Sequence, residues 1–177
     1  MPFITAPFVQ KLQTRIDPDA PVFSEYTEGD LMPGDPFMIP NQLGIKPPPL
    51  PPLEWAQTWA DAVELGAAGI IPPSTTLPAA KMAMFATLLS VTSATPAHTG
   101  LQMGFMTFAS VYIGGTVPNG AVTTPPPGPG PDFASLDGMG MNSETNLPWL
   151  NAIGLVIMDW FMQGNAFWIP MPATKWM

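Results

Sequence analysis

The sequence predicts a mainly α-helical chain with long irregular and extended segments. About four short helices are expected around an apolar helical hairpin, with a proline-rich N-terminal arm and an extended C-terminal tail. Apolar residues recur at helical spacing in four stretches, and 25 prolines interrupt the chain around them. Only 10% of the 177 residues are charged while 46% are apolar, which is unlike a disordered chain. One domain is therefore expected, divided into an arm (1–52), a helical core (53–115), a loop or arm (116–145) and a last helix with its tail (146–177).

The N-terminal arm carries too many prolines for a long helix or a central strand, because each proline removes a backbone donor. At most two helical turns are expected between Phe8 and Arg15. Large aromatic side chains nevertheless recur, and a solvated linker does not need them. We expect an ordered arm that lies on its own core or on a neighbouring subunit, with these residues as interface candidates: Phe3, Phe8, Phe23, Tyr26 and Phe37. The stretch PPPLPPL predicts polyproline II, as a stiff spacer rather than an SH3 ligand.

A helix over 53–68 follows from one apolar face that includes Trp55, Trp59 and Val63. Asp61 and Glu64 lie on its other side and are expected to be solvated. Glycines near the end of the stretch and the Pro-Pro pair after it terminate the helix.

The apolar hairpin is predicted from two helices, over 77–93 and 100–113. Thr76 is the expected N-cap of the first, and Pro78 suits its first turn. That helix is apolar all round, which indicates burial in a core or an interface. Gly104 is unfavourable inside a helix, so it predicts a close helix crossing. The hairpin methionines are expected to pack in the core or at an inter-subunit seam: Met82, Met84, Met103 and Met106.

After the hairpin, residues 116–145 predict an irregular arm in which Phe133 is an anchor. A helix over 147–163 has a broad apolar face, and Asp159, nearly its only charge, should face solvent or a partner's donor. Trp168 and Trp176 are further interface candidates in the extended tail. Strand pairing is expected only within 121–124 or 166–171.

No catalytic, cofactor-binding or metal-binding residue is predicted. The chain has no cysteine and one histidine, His98, which has no carboxylate nearby in the sequence to form a triad. Its five basic residues do not cluster, and the net charge is −8, so direct nucleic-acid binding is not expected. A membrane span is not expected either, because the apolar runs are interrupted by Gly104, Gly114 and Asp159.

Three stretches resemble a family of small virion proteins of tailed bacteriophages, of the kind found in marine and cyanobacterial phages. They are WADAVELGAAGIIPPSTT, FMTFASVYIGGTVPNG followed by TPPPGPGP, and GLVIMDWFMQG, which together span residues 59–164. The resemblance implies a non-enzymatic component of the virion, present in many copies. Tail, baseplate or neck is favoured, and capsid is the alternative. The implied partners are other virion structural proteins and further copies of the chain.

Two other functions fit parts of the sequence. A soluble binding module would capture a peptide or small apolar ligand between the helices, in a pocket lined by Met84, Phe85, Phe105 and Phe108. A cell-wall hydrolase would need paired carboxylates in a cleft, and the helical acids available to it are Asp61, Glu64 and Asp159.

Overall fold

The computed structural model describes residues 3–13, 24–25, 45–46, 52–71, 73–91, 97–116, 121–136, 147–168 and 174–175. Within these residues the chain is mainly helical, as predicted. The helices are α1 (Thr5–Gln13), α2 (Pro52–Ala67), α3 (Leu77–Leu89), α4 (Ala97–Gly114) and α5 (Leu147–Phe161), with a 3-10 turn at Phe133–Leu136. None of them, in the ranges just given, is long and apolar enough to cross a bilayer.

Strands are short. β1 (Ser24–Glu25) pairs with β2 (Ile45–Lys46), and β3 (Ala121–Thr124), β4 (Asn165–Trp168) and β5 (Thr174–Lys175) form an antiparallel sheet in the order β3-β4-β5. The β3–β4 register joins Ala121 to Trp168 and Thr124 to Asn165. The expected pairing within 121–124 is therefore confirmed, and its partner strand begins one residue before the predicted stretch. The pairings of β1 with β2 and of β4 with β5 are additional to those the sequence predicts.

An aromatic core lies between α2, α4 and α5. Phe105 of α4 is fully buried, and its ring lies 6.3 Å from Trp59 and 6.1 Å from Trp160 between centroids. Phe133, in the 3-10 turn, packs 5.8 Å from the same ring. Tilted and edge-to-face pairs of this kind add to the free energy gained from burial. The core thus holds the loop after β3 against the helices.

The first residues of the N-terminal segment are part of this core, which is one of the two positions expected for the arm, and residues 5–13 are helical rather than extended. Residues 5–13 form α1, which packs on α2 and α5 and buries Phe8, Val9 and Leu12. The backbone N–H of Ile4 donates to the carbonyl of Gly66 at 2.9 Å. Phe3 stacks on Phe161 with 5.3 Å between ring centroids.

Three of the four predicted helices match their observed bounds within three residues at each end. The exception is the first hairpin helix, which ends at Leu89 rather than at residue 93. Its last turn closes with the N–H of Ser90 donating to the carbonyls of Ala86 and Thr87. Val91 then packs against Gly100 in the first turn of α4, so the two helices approach closely at this end.

Candidate interaction surface

The α3–α4 hairpin is held by close packing along its inner side. A Cβ on Gly104 would lie 2.9 Å from Leu88 Cδ2, and one on Gly100 would lie 2.8 Å from a Val91 methyl. The close crossing predicted from Gly104 is therefore confirmed. Met84 and Leu88 are buried on the same side of α3. The inner side of the hairpin is thus fully used by the chain's own core.

A hydroxyl cluster before α3 fixes the other end of the hairpin. Ser74 Oγ donates to the carbonyl of Tyr112 at 2.5 Å, and Thr76 Oγ1 donates to that of Val111 at 2.8 Å. Thr75 contributes its N–H to the carbonyl of Gly115. Two of these acceptors, the carbonyls of Val111 and Tyr112, lie in the last turn of α4, where a helix runs out of its own donors. Thr76 is the N-cap residue of α3, as predicted, and its carbonyl accepts from the N–H of Ala80 at 2.8 Å, but its side chain makes no capping bond.

Ion pairs link α1, α2 and α3. Lys81 Nζ lies 2.7 Å from Asp61 Oδ1 and 2.9 Å from Glu64 Oε2, and Lys11 Nζ lies 3.2 Å from Asp61 Oδ2. Gln57 Nε2 donates to Asp61 Oδ1 at 2.7 Å. Burial raises the pKa of Asp61, but hydrogen bonds from Lys81, Lys11 and Gln57 outweigh it, so this pKa lies below 3.8. Asp61 and Glu64 are therefore paired within the chain, not simply solvated as expected.

The outer side of the hairpin is apolar and exposed. Met82 is 58% exposed, Met103 is 50% and Leu89 is 41%. Small side chains lie exposed beside them on both helices. We define the hairpin outer face by its exposed residues on the two helices: Ala79, Met82, Ala86 and Leu89 of α3 with Met103 and Ser110 of α4.

The hairpin outer face carries no charge. The sequence contains no Asp, Glu, Lys or Arg between Lys81 and Asp132, although about a quarter of residues in an ordinary soluble protein are charged. Lys81, at the edge of α3, points to the ion pairs of α2. An exposed helical surface without charge is typical of a contact with another protein.

A shallow groove of about 420 Å³ lies on another part of the chain, between the loop after β3 and α5. Trp160 Nε1 donates to the carbonyl of Pro127 at 3.1 Å, and Gln102 Nε2 donates to that of Pro131 at 3.1 Å, so the loop is fixed on both helices. Two exposed acids, Asp132 and Asp159, flank the groove. Asp159 thus faces solvent, as the sequence predicts.

The predicted interface residues fall into two groups. Phe3, Phe8 and Phe133 are buried in the chain's own core, so their assignment as interface candidates is corrected. Their burial arises because α1 and the 3-10 turn bring them onto α2, α4 and α5. The others lie outside the described side chains, although the backbone of Trp168 belongs to β4: Phe23, Tyr26, Phe37, Trp168 and Trp176.

The residues of the two alternative functions are not assembled into sites. Met84, Phe105 and Phe108 are fully buried core residues rather than the walls of a cleft. Asp61 and Glu64 are held by Lys81, whereas Asp159 lies in the α5 groove, which neither of them lines. In the part of the chain that the structure describes, no three His, Asp or Glu side chains converge to hold a metal ion.

The two positions predicted for the hairpin methionines, the core or an inter-subunit seam, are divided among them. Met84 is in the core, whereas Met82 and Met103 are exposed, so for these two the core is excluded and the seam stays a prediction. The sequence feature that indicates the hairpin outer face is the uncharged run that begins after Lys81, because a helix buried on one side normally carries charges on its other side.

Comparisons with protein-family models, with curated proteins and with solved structures found no significant match to this chain.

Proposed function

We propose that this chain is a non-enzymatic structural subunit of a bacteriophage virion that binds neighbouring subunits. The observation that carries the proposal is the combination of exposed apolar side chains with few available charges. Among the described residues, nine large apolar side chains are exposed, spread over the helices and their flanks: Ile4, Leu53, Leu65, Ile71, Met82, Leu89, Met103, Leu155 and Met162.

Among the described side chains, few charges are left to solvate these surfaces. Lys11, Asp61, Glu64 and Lys81 neutralise one another within the chain. Exposed apolar area costs free energy in water, and neighbouring subunits would remove that cost by covering it. Many contacts of this kind are typical of subunits that function only within an assembly.

The virion is proposed as the assembly because residues 59–164 resemble small phage virion proteins. Within the virion we favour the tail, baseplate or neck, with capsid as the alternative. A small helical core with extended segments suits subunits that contact several neighbours. The partners are then other virion proteins and further copies of this chain.

Two measurements test the proposal. Light scattering on the purified full chain should give a mass above the 18.9 kDa of one copy, rising with concentration. Mass spectrometry of purified particles of the encoding phage should detect the chain as a structural component. A strictly monomeric chain that is absent from those particles would show the proposal to be wrong.

A further inference from the structure

We propose that two copies of this chain pack against each other through the hairpin outer face, an inference that rests on the proposed function and names one of its contacts. The occupant of the face is a second copy, related to the first by a two-fold axis. The shape of the face, its lack of charge and its extent support this choice.

The shape of the face is reciprocal. Thr87 marks the side of α3 next to α4, since its Oγ1 lies 3.3 Å from Thr107 Oγ1. An α-helix turns by about 100° per residue, so Ala83 and Ala86 lie next to Thr87 around the circumference of α3. Met82 lies beyond them, farther from α4. A shallow row of small side chains therefore runs beside a ridge formed by Met82 and Leu89. A two-fold axis between the ridge and the row places each copy's ridge in the other copy's row.

The charge distribution favours a contact at this face. Each copy carries a net charge of −8, so two copies repel wherever their acidic surfaces approach. The exposed acids Glu54, Asp132 and Asp159 lie on α2, the loop after β3 and α5, not on the hairpin. Two hairpin outer faces can therefore meet without like-charge contacts and without burying a charge.

The area of the hairpin outer face is that of a small interface, which suits one contact among several in an assembly. With 13 residues at 1.5 Å each, α3 is about 20 Å long, and two packed helices are about 20 Å wide. Two such faces together bury roughly 1,000 Å² or slightly more, near the lower limit of specific interfaces. Methionine on the ridge adapts its side chain to the opposing surface.

Single-cysteine cross-linking tests the inference, because the full chain contains no cysteine. We expect Ala86→Cys, which lies near the proposed axis, to form a disulfide-linked dimer on mild oxidation about tenfold or more faster than the exposed polar control Gln10→Cys on α1. Adding Met82→Lys to Ala86→Cys should abolish this preference, whereas adding Gln10→Lys should not. Equal melting temperatures would show that each variant is folded.

The outcomes separate this contact from the proposed function. If Ala86→Cys cross-links no faster than Gln10→Cys while light scattering still reports oligomers, the contact is wrong and the proposed function stands through other surfaces. A wild-type chain that stays monomeric and is absent from purified particles overturns both. Rapid cross-linking that survives Met82→Lys also contradicts the contact, since a lysine could not be buried in the other copy's row of small side chains without cost.

Discussion

At the scale of single residues, Gly115 shows how little space separates α4 from the segment before α3. A Cβ at this position would overlap Ser74 Oγ and the backbone nitrogen of Thr76. Those atoms belong to the hydroxyl cluster that holds the carbonyls of Val111 and Tyr112. The glycine is required by this close approach and not by its backbone angles, because its φ is not positive.

We therefore expect Gly115→Ala to lower the free energy of unfolding by about 2 kcal/mol, as overpacked sites do. The neighbouring Gly114→Ala is the matched control, because a Cβ there meets no atom within 4 Å. Alanine at Gly114 should be neutral or stabilise α4 by up to about 1 kcal/mol. Urea unfolding of the two variants measures the difference, and equal free energies would contradict the packing described here.

At the scale of elements, the ion pairs of Lys81 join α3 to α2, and Lys11 joins α1 to Asp61 of the same cluster. Lys81→Met should lower the free energy of unfolding by about 1 kcal/mol at neutral pH, because it removes two partly buried ion pairs. Lys11→Met is the control and should cost less, since Lys11 has its ion pair with Asp61 at 3.2 Å and a more exposed side chain.

The same variant has a defined pH dependence. The pKa of Asp61 is lower in the folded chain than its ordinary value of 3.8, so the stabilisation is present above about pH 4 and is lost as the pH falls through the folded pKa. Hydrogen bonding to Asp61 raises the pKa of Lys81, so the high-pH loss begins only above its ordinary value of 10.5. Unfolding of wild type and Lys81→Met should therefore converge in acid. A difference that stays constant down to pH 2 would contradict this coupling.

Elements were predicted from the sequence where local periodicity determines them. Four helices and the pairing of 121–124 follow from spacing and from proline and glycine breaks. The helix α1 was predicted only as at most two turns between Phe8 and Arg15, yet it begins at Thr5, because Pro7 falls in the first turn, where its missing N–H has no intrahelical acceptor. The side-chain partners of Thr76 and Asp61 were missed because Val111 and Lys81 are brought near only by the tertiary fold.

At the scale of the whole molecule, charge and apolar surface are separated. The charged residues in the described parts of the chain lie on α1, α2, the loop after β3, α5 and the strands β1, β2 and β5, with Lys81 directed towards α2, whereas the hairpin outer face has none. The net charge of −8 drives copies apart, and the uncharged face draws them together. The balance between repulsion and attraction depends on ionic strength, since salt screens the charge repulsion and leaves the apolar attraction nearly unchanged.

Association should therefore strengthen as salt is added. The screening length falls from about 10 Å at 0.1 M to about 3 Å at 1 M, so the repulsion between two acidic copies weakens while the apolar contact persists. Light scattering across this range should report a rising mean mass for the wild type. Gln10→Lys, which reduces the net negative charge at an exposed polar position away from the hairpin, should associate slightly better at low salt and equally at high salt. If added salt instead dissociates the oligomers, ion pairs between subunits hold them together, and the uncharged hairpin outer face is not the dominant contact.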